Sequence, residues 1–233
     1  MATLVLTLEA GIVRWIGPDA NASQVVFFRS MAQFIAIAFW IVWKGQWPDL
    51  RSPRYLLHLV RGLLSVFTWW LYFRMFQQLD VALATVLTFA TSLFVVVLAG
   101  PVMGERVQMV SWVATTVGFA GIALASGLGT GNFSQEAAWG LIASAAAAFQ
   151  VFLNRSLAQT EDTGTIMTFI GFCVVAASLP LAYVHWQPLA LSSMAWLMLS
   201  GILGALGMIL SIEAYALGET AVLAPIPYVR IAF

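Results

Sequence analysis

VALATVLTFATSLFVVVLAG, residues 81–100, is a run of twenty residues without a single charge. At about 1.5 Å per residue, a helix of this length crosses the roughly 30 Å hydrocarbon core of a bilayer. Its apolarity is continuous rather than alternating with period two, which excludes a strand of a membrane barrel. Working outward in both directions, the same criterion marks nine spans: 2–16, 23–43, 54–76, 81–100, 107–127, 138–157, 164–184, 194–217 and 220–233. The connections between them are short loops, and no separate soluble domain fits.

Composition agrees. The chain of 233 residues is 61% hydrophobic and only 9% charged, whereas soluble domains run near half and a quarter. Ten basic and ten acidic residues cancel, so there is no basic footprint for nucleic acid. Cys173, the one cysteine, can form no intramolecular disulfide, and no Cys/His metal set can be assembled. The expected fold class is all-α, a polytopic membrane helix bundle.

Orientation follows from the placement of Lys and Arg. The loop KGQWPDLRSPR carries Lys44, Arg51 and Arg54, and the connections after the fourth and sixth spans carry Arg106 and Arg155. The opposite loops, 17–22, 77–80, 128–137 and 185–193, contain neither residue. The first set is therefore expected in the cytoplasm, with the start of the chain on that side, although Arg14 and Arg74 at opposite-side helix ends run against the rule. The first span lacks the basic region that precedes a signal peptide's apolar stretch. Both terminal spans read as incomplete transmembrane helices, as in a fragment.

Sliding the chain by 139 residues lays Trp47 on Trp186, Gly62 on Gly201, Leu71 on Leu210 and Asp80 on Glu219, and superposes the helix boundaries. Five helices separate equivalent positions, and an odd number inverts the second half. The expectation is an inverted-topology repeat, five plus five in full form. Residues 1–127 would make the first repeat and residues 138–233 the visible part of the second.

These residues resemble the drug/metabolite transporter superfamily, specifically its EamA-type ten-helix permeases. The resemblance is carried by FFRSMAQFIAIAF (27–39), RGLLSVFTWWLYFRMFQQLDVALATVLTF (61–89), GPVMGERVQMVSWVATTVGFAGIALA (100–125) and EAYALGETAVLAPIPYVRIAF (213–233). The chain departs from the family in carrying Thr91-Ser92 where a proline is common. The resemblance implies a secondary transporter (permease) that moves a small organic metabolite across a bacterial inner membrane by alternating access. The competing reading is a non-transporting scaffold or a fragment that needs a partner chain. No enzyme motif is visible: the glycines of 127–132 follow no strand, and His58 and His185 fall on opposite sides. No cofactor is expected. Partners would be a small-molecule substrate and the lipid bilayer, and a homodimer is left open.

Ionisable groups inside hydrocarbon are costly and point to function by default. Glu9 and Arg29 lie on consecutive antiparallel spans, each about 10 Å below the non-cytoplasmic surface, where an ion pair would relieve both. Such a pair could line the pathway or simply fix helix packing. Arg230, preceded by Pro225, Pro227 and Tyr228, falls near the midplane, where transporter substrates bind. It could hold an anionic solute with Tyr228, or pair with Glu213 or Glu219. Trp69, Trp70 and Tyr72, with Gln150 and Asn154 on one face of the sixth span, suggest an aromatic pocket or ordinary packing. The expected substrate-pathway residues are Glu9, Arg29, Trp69, Tyr72, Gln150, Tyr228 and Arg230, in a cavity lined by the third, fourth, eighth and ninth spans.

Overall fold

The computed structural model describes residues 20–45, 47–48, 51–104, 107–126 and 134–217, together with Val5, Leu8, Glu9, Gly11, Ile12, Trp15 and Ile16. Seven helices follow one another: α1 (Ala22–Lys44), α2 (Tyr55–Gln78), α3 (Val81–Met103), α4 (Met109–Ser126), α5 (Gln135–Ala158), α6 (Thr163–Val184) and α7 (Leu191–Leu217). Among the described residues there is no strand. Six of these helices are long and apolar enough to cross a membrane; the apolar part of α4, Met109–Leu124, is shorter. Of the nine expected spans, 220–233 lies outside the described residues and 2–16 is described only in part.

Local chemistry sets the ends. Asn21, Ser134 and Asp162 stand before α1, α5 and α6 and accept bonds from the backbone N–H groups of Ser23, Ala137 and Thr165, satisfying donors that the first helical turn leaves open. α1 and α3 stop at Gly45 and Gly104, both left-handed, a conformation glycine adopts without steric cost. Only Leu79 and Asp80 separate α2 from α3.

Large apolar side chains such as Phe39, Leu56, Val117 and Leu124 point outward, while Arg29, Gln33, His58, Arg61, Ser65 and Thr68 are buried. Such an inside-polar arrangement suits lipid as solvent. One apolar cluster joins α1, α2, α6 and α7; a second joins α2, α3, α4 and α5. α2 belongs to both.

The packing also repeats under a five-helix shift. α1 packs on α7 as α6 packs on α2, and α1 and α6 lie against each other. At equivalent places, Gly62 of α2 lies against Cys173 of α6, and Gly201 of α7 lies against Arg29 and Ala32 of α1. The two glycines are 139 residues apart. A methyl group at 201 would run into the Arg29 carbonyl oxygen and stand 2.7 Å from Ala32 Cβ. Gly121 in α4, by contrast, has nothing within 4 Å of such a methyl. Gly201→Ala should therefore destabilise the bundle by about 1–3 kcal/mol through overpacking, while Gly121→Ala should be neutral or slightly stabilising. Thermal unfolding of the detergent-purified variants checks both.

Candidate functional site

Arg29 and Glu9 form an ion pair deep in the fold, with side chains 2% and 3% exposed. The guanidinium also donates to Gln33 Oε1 at 3.2 Å and lies over the Trp69 ring, 4.0 Å from its centroid. Trp69 in turn stacks on Phe73. On the far side, a methyl at Gly204 would stand 2.7 Å from Arg29 Nη2 and 3.3 Å from Glu9 Oε1. α7 can approach the pair only because that position has no side chain. Arg29 borders a small cavity of about 10 Å³, on the order of one water. Ser65 and Trp69 from α2, Gly171 and Val174 from α6, and Met208 from α7 complete its wall.

A column of polar side chains runs along the contact of α2 with α5. Arg54 Nη1 donates to the Ser156 carbonyl at 2.9 Å. His58 Nε2 lies 2.6 Å from Glu161 Oε2, whose other oxygen accepts from Ser52 Oγ at 2.5 Å. Arg61 Nε donates to Asn154 Oδ1 at 2.7 Å, and Arg61 Nη1 donates to Ser65 Oγ. Gln150 Nε2 donates to Thr68 Oγ1 at 2.6 Å; Tyr72 OH stands 2.8 Å from Thr91 Oγ1 and 3.0 Å from Ser144 Oγ. Residues 54, 58, 61, 65, 68 and 72 recur every third or fourth position, which places them on one face of a helix. That spacing is legible in the sequence and identifies Arg61, the residue that attention to the tryptophans passes over.

The two ends of α2 differ. At the end bearing Arg54 and Arg155, the network of Ser52, Arg54, His58, Ser156 and Glu161 ties α2 to α5 and its following turn. At the other end, a cleft of about 240 Å³ opens among Asn21, Ser23, Trp70, Arg74, Gln77 and His185. Arg74 sits there between the rings of Trp70 and Trp139, 5.2 and 4.7 Å from their centroids. Gln77 donates to the Ala20 carbonyl and Gln24 to the Gln187 carbonyl on this side. Among the described residues, Arg54 and Arg155 therefore lie at one end of α2, and Asn21, Gln77 and His185 at the other.

The expected site residues are thus dispersed. Arg29 and Trp69 line the cavity and Glu9 pairs with Arg29, whereas Tyr72 and Gln150 belong to the α2–α5 column. Tyr228 and Arg230 lie outside the described residues, and Glu213 accepts from Thr163 Oγ1 at 2.8 Å. The cavity walls also differ from expectation. α1 and α6 take part, while α3 packs on α4 and α5 instead. The reason is close packing at Gly140 of α5, which admits Leu87 of α3 and Met75 of α2 and draws α3 to that side. Among the described residues, no cluster of His, Cys, Asp or Glu could hold a metal ion.

Comparison with known proteins places this architecture. The S-adenosylmethionine uptake transporter of Rickettsia bellii is 26% identical over 220 residues, 94% of this chain and 75% of its own. The pseudopaline exporter CntI of Pseudomonas aeruginosa (strain UCBPP-PA14) is 21% identical over 235 residues, covering 100% of this chain and 82% of the exporter. A crystal structure 18% identical in sequence matches 98% of this chain and 84% of its own with a TM-score of 0.69, a likeness of fold. A model of the EamA-like transporter family matches residues 3–127. With six apolar spans and a family match over more than half its length, the chain is an integral multi-pass membrane protein and belongs to the EamA-like transporter family.

Proposed function

We propose that the chain is a secondary transporter that carries a small organic metabolite by alternating access, with no catalytic step and no cofactor. The observation that carries this reading is buried Arg29, paired with Glu9, on the wall of a cavity between α1, α2, α6 and α7. That cavity lies between a polar cleft at one end and a hydrogen-bonded closure at the other. Repeats 1–127 and 138–233 would rock about it, exposing it to each side in turn. Trp69, with Tyr228 and Arg230 from the last span, would meet the solute, while Tyr72 and Gln150 would hold α2 on α5. Glu9 would exchange a proton if transport is proton-coupled. By the distribution of Lys and Arg, the closed basic end faces the cytoplasm of a bacterial inner membrane and the cleft faces outward.

The relatives' names supply the first solutes to test. Uptake or efflux of S-adenosylmethionine and of pseudopaline, followed by a wider metabolite panel, should be measured in proteoliposomes. Absence of protein-dependent flux for every solute would reject the transporter reading.

Two variants test its parts. Exchanging the charges, Glu9→Arg with Arg29→Glu, should restore folding relative to either single substitution. Each single change sets two like charges against each other in the interior, at a cost of at least about 3–5 kcal/mol. The exchange should leave flux abolished, because the pathway needs the cation on α1; full flux in the folded double variant would make the pair a packing device only. Glu161→Ala should loosen the basic end. In a Cys173→Ala, Ser65→Cys background, it should raise labelling by a membrane-impermeant maleimide applied from the cytoplasmic side. Unchanged labelling would show that the closure lies elsewhere.

A further inference from the structure

Of the two arginines buried among the described residues, one lacks a counter-charge. Arg29 is neutralised by Glu9 and His58 faces Glu161. Arg61, 1% exposed, meets neutral oxygens: Asn154 Oδ1 at 2.7 Å and the hydroxyl of Ser65. Among the described residues no carboxylate lies within ion-pair distance of it. A guanidinium taken out of water and left without an anion is costly, and neutral acceptors recover only part of the loss.

Its place in the fold gives that cost a use. Ser65, the residue Arg61 holds, is itself part of the cavity wall. On the other side of Arg61, one turn along α2, comes His58 and the closed basic end. The hold on Ser65 is local to α2, for Ser65 Oγ donates back to the Arg61 carbonyl at 2.9 Å. A change of Ser65 rotamer releases that guanidinium nitrogen without moving a helix. An acid in place of Ser65 or Asn154 would lock the guanidinium; neutral groups can be displaced. The described charges between cleft and closure are Arg74, Arg29, Glu9 and Arg61, and their sum is positive.

We infer that Arg61 is the anion-recognition residue of the route, and that the transported solute carries a carboxylate which displaces Ser65 as partner of its guanidinium. The planar fork of arginine matches a carboxylate with two parallel bonds, a geometry that lysine cannot offer. The solute's apolar part would then lie toward Trp69, a turn further from the closed end. This inference rests on the transporter reading for the word solute, but its test does not require flux.

The purified full chain is titrated with indole-3-acetate and, separately, with indole-3-acetamide, a pair alike in shape and different in charge. The melting temperature should rise with the acetate, in a dose-dependent way, and stay fixed with the amide. Arg61→Gln should weaken the acetate response on the order of 30-fold or more, the lower end of what losing one partner of a desolvated charge pair costs. Arg61→Lys should weaken it less. Asn154→Ala, which keeps the cation and removes a competing acceptor, should strengthen the response and serves if the Arg61 variants do not fold. No response to the acetate, equal responses to both compounds, or an acetate response undiminished in Arg61→Gln or Arg61→Lys and not strengthened in Asn154→Ala overturns the inference. Failure of flux for every solute with the acetate response intact would instead overturn the transporter reading and leave the anion site standing.

Discussion

A charge inside hydrocarbon must be neutralised by its own protein, and much of this bundle is arranged around that demand at Arg29. Its neutralisation by Glu9 brings the first stretch of the chain against α1. Trp69 covers the guanidinium from α2, and Gly201 and Gly204 bring α7 into backbone contact on the remaining side. Residues separated by nearly the whole sequence thus serve a single interaction. None of them is explained by its own helix. Gly201 and Gly204 lower the helix propensity of α7 and earn no apolar contact of their own. They are intelligible only as space made for Arg29.

α2 has the opposite problem. It packs on α5 along one face and closes the cavity along another, so neither face can be plain hydrocarbon. The result is that α2 and α5 are the least apolar of the six spanning helices. They are stable in a bilayer because each supplies the other's hydrogen bonds: Arg61 to Asn154, Gln150 to Thr68, Tyr72 to Ser144. In water such bonds would compete with solvent. Between two helices in lipid the alternative is an unsatisfied group, so the column fixes the register of α2 on α5. The lipid-facing surface, where Phe39 and Leu124 stand exposed, carries no comparable constraint on register.

The helices were legible because apolar runs of bilayer length have no competing explanation. Every described helix begins and ends within three residues of its expected span. The Arg29–Glu9 contact was also legible, because charges are scarce and the two fall at equal depth on adjacent antiparallel segments. Placement of the cavity was not. Periodicity says which residues share a face, but the neighbour of that face depends on glycine contacts between helices far apart in sequence, such as Gly140 with Leu87 and Gly171 with Phe34. Gln150 illustrates the loss. Its polarity is visible, yet its partners Thr68 and Leu64 lie more than eighty residues away, and it binds a helix rather than facing the cavity.

The repeat adds a last constraint, for it equates positions that chemistry then separates. Under the 139-residue shift, the packing glycines match: Gly62 with Gly201, each in close contact with the partner helix. Trp69 corresponds to Met208, and both line the cavity. The buried arginines do not match. Arg29 corresponds to Thr168 and Arg61 to Ser200. The symmetric part of the design is therefore steric: two helix crossings, α2 on α6 and α7 on α1, each held close by glycine. Among the described residues, the buried arginines, Arg29 and Arg61, belong to the first half, on α1 and α2. In the proposed rocking of the two halves, Arg29 and Arg61 would stay with the wall made by α1 and α2. A solute held by that wall would keep its counter-charge as the opposite wall moves away, so its release would depend on water reaching α2.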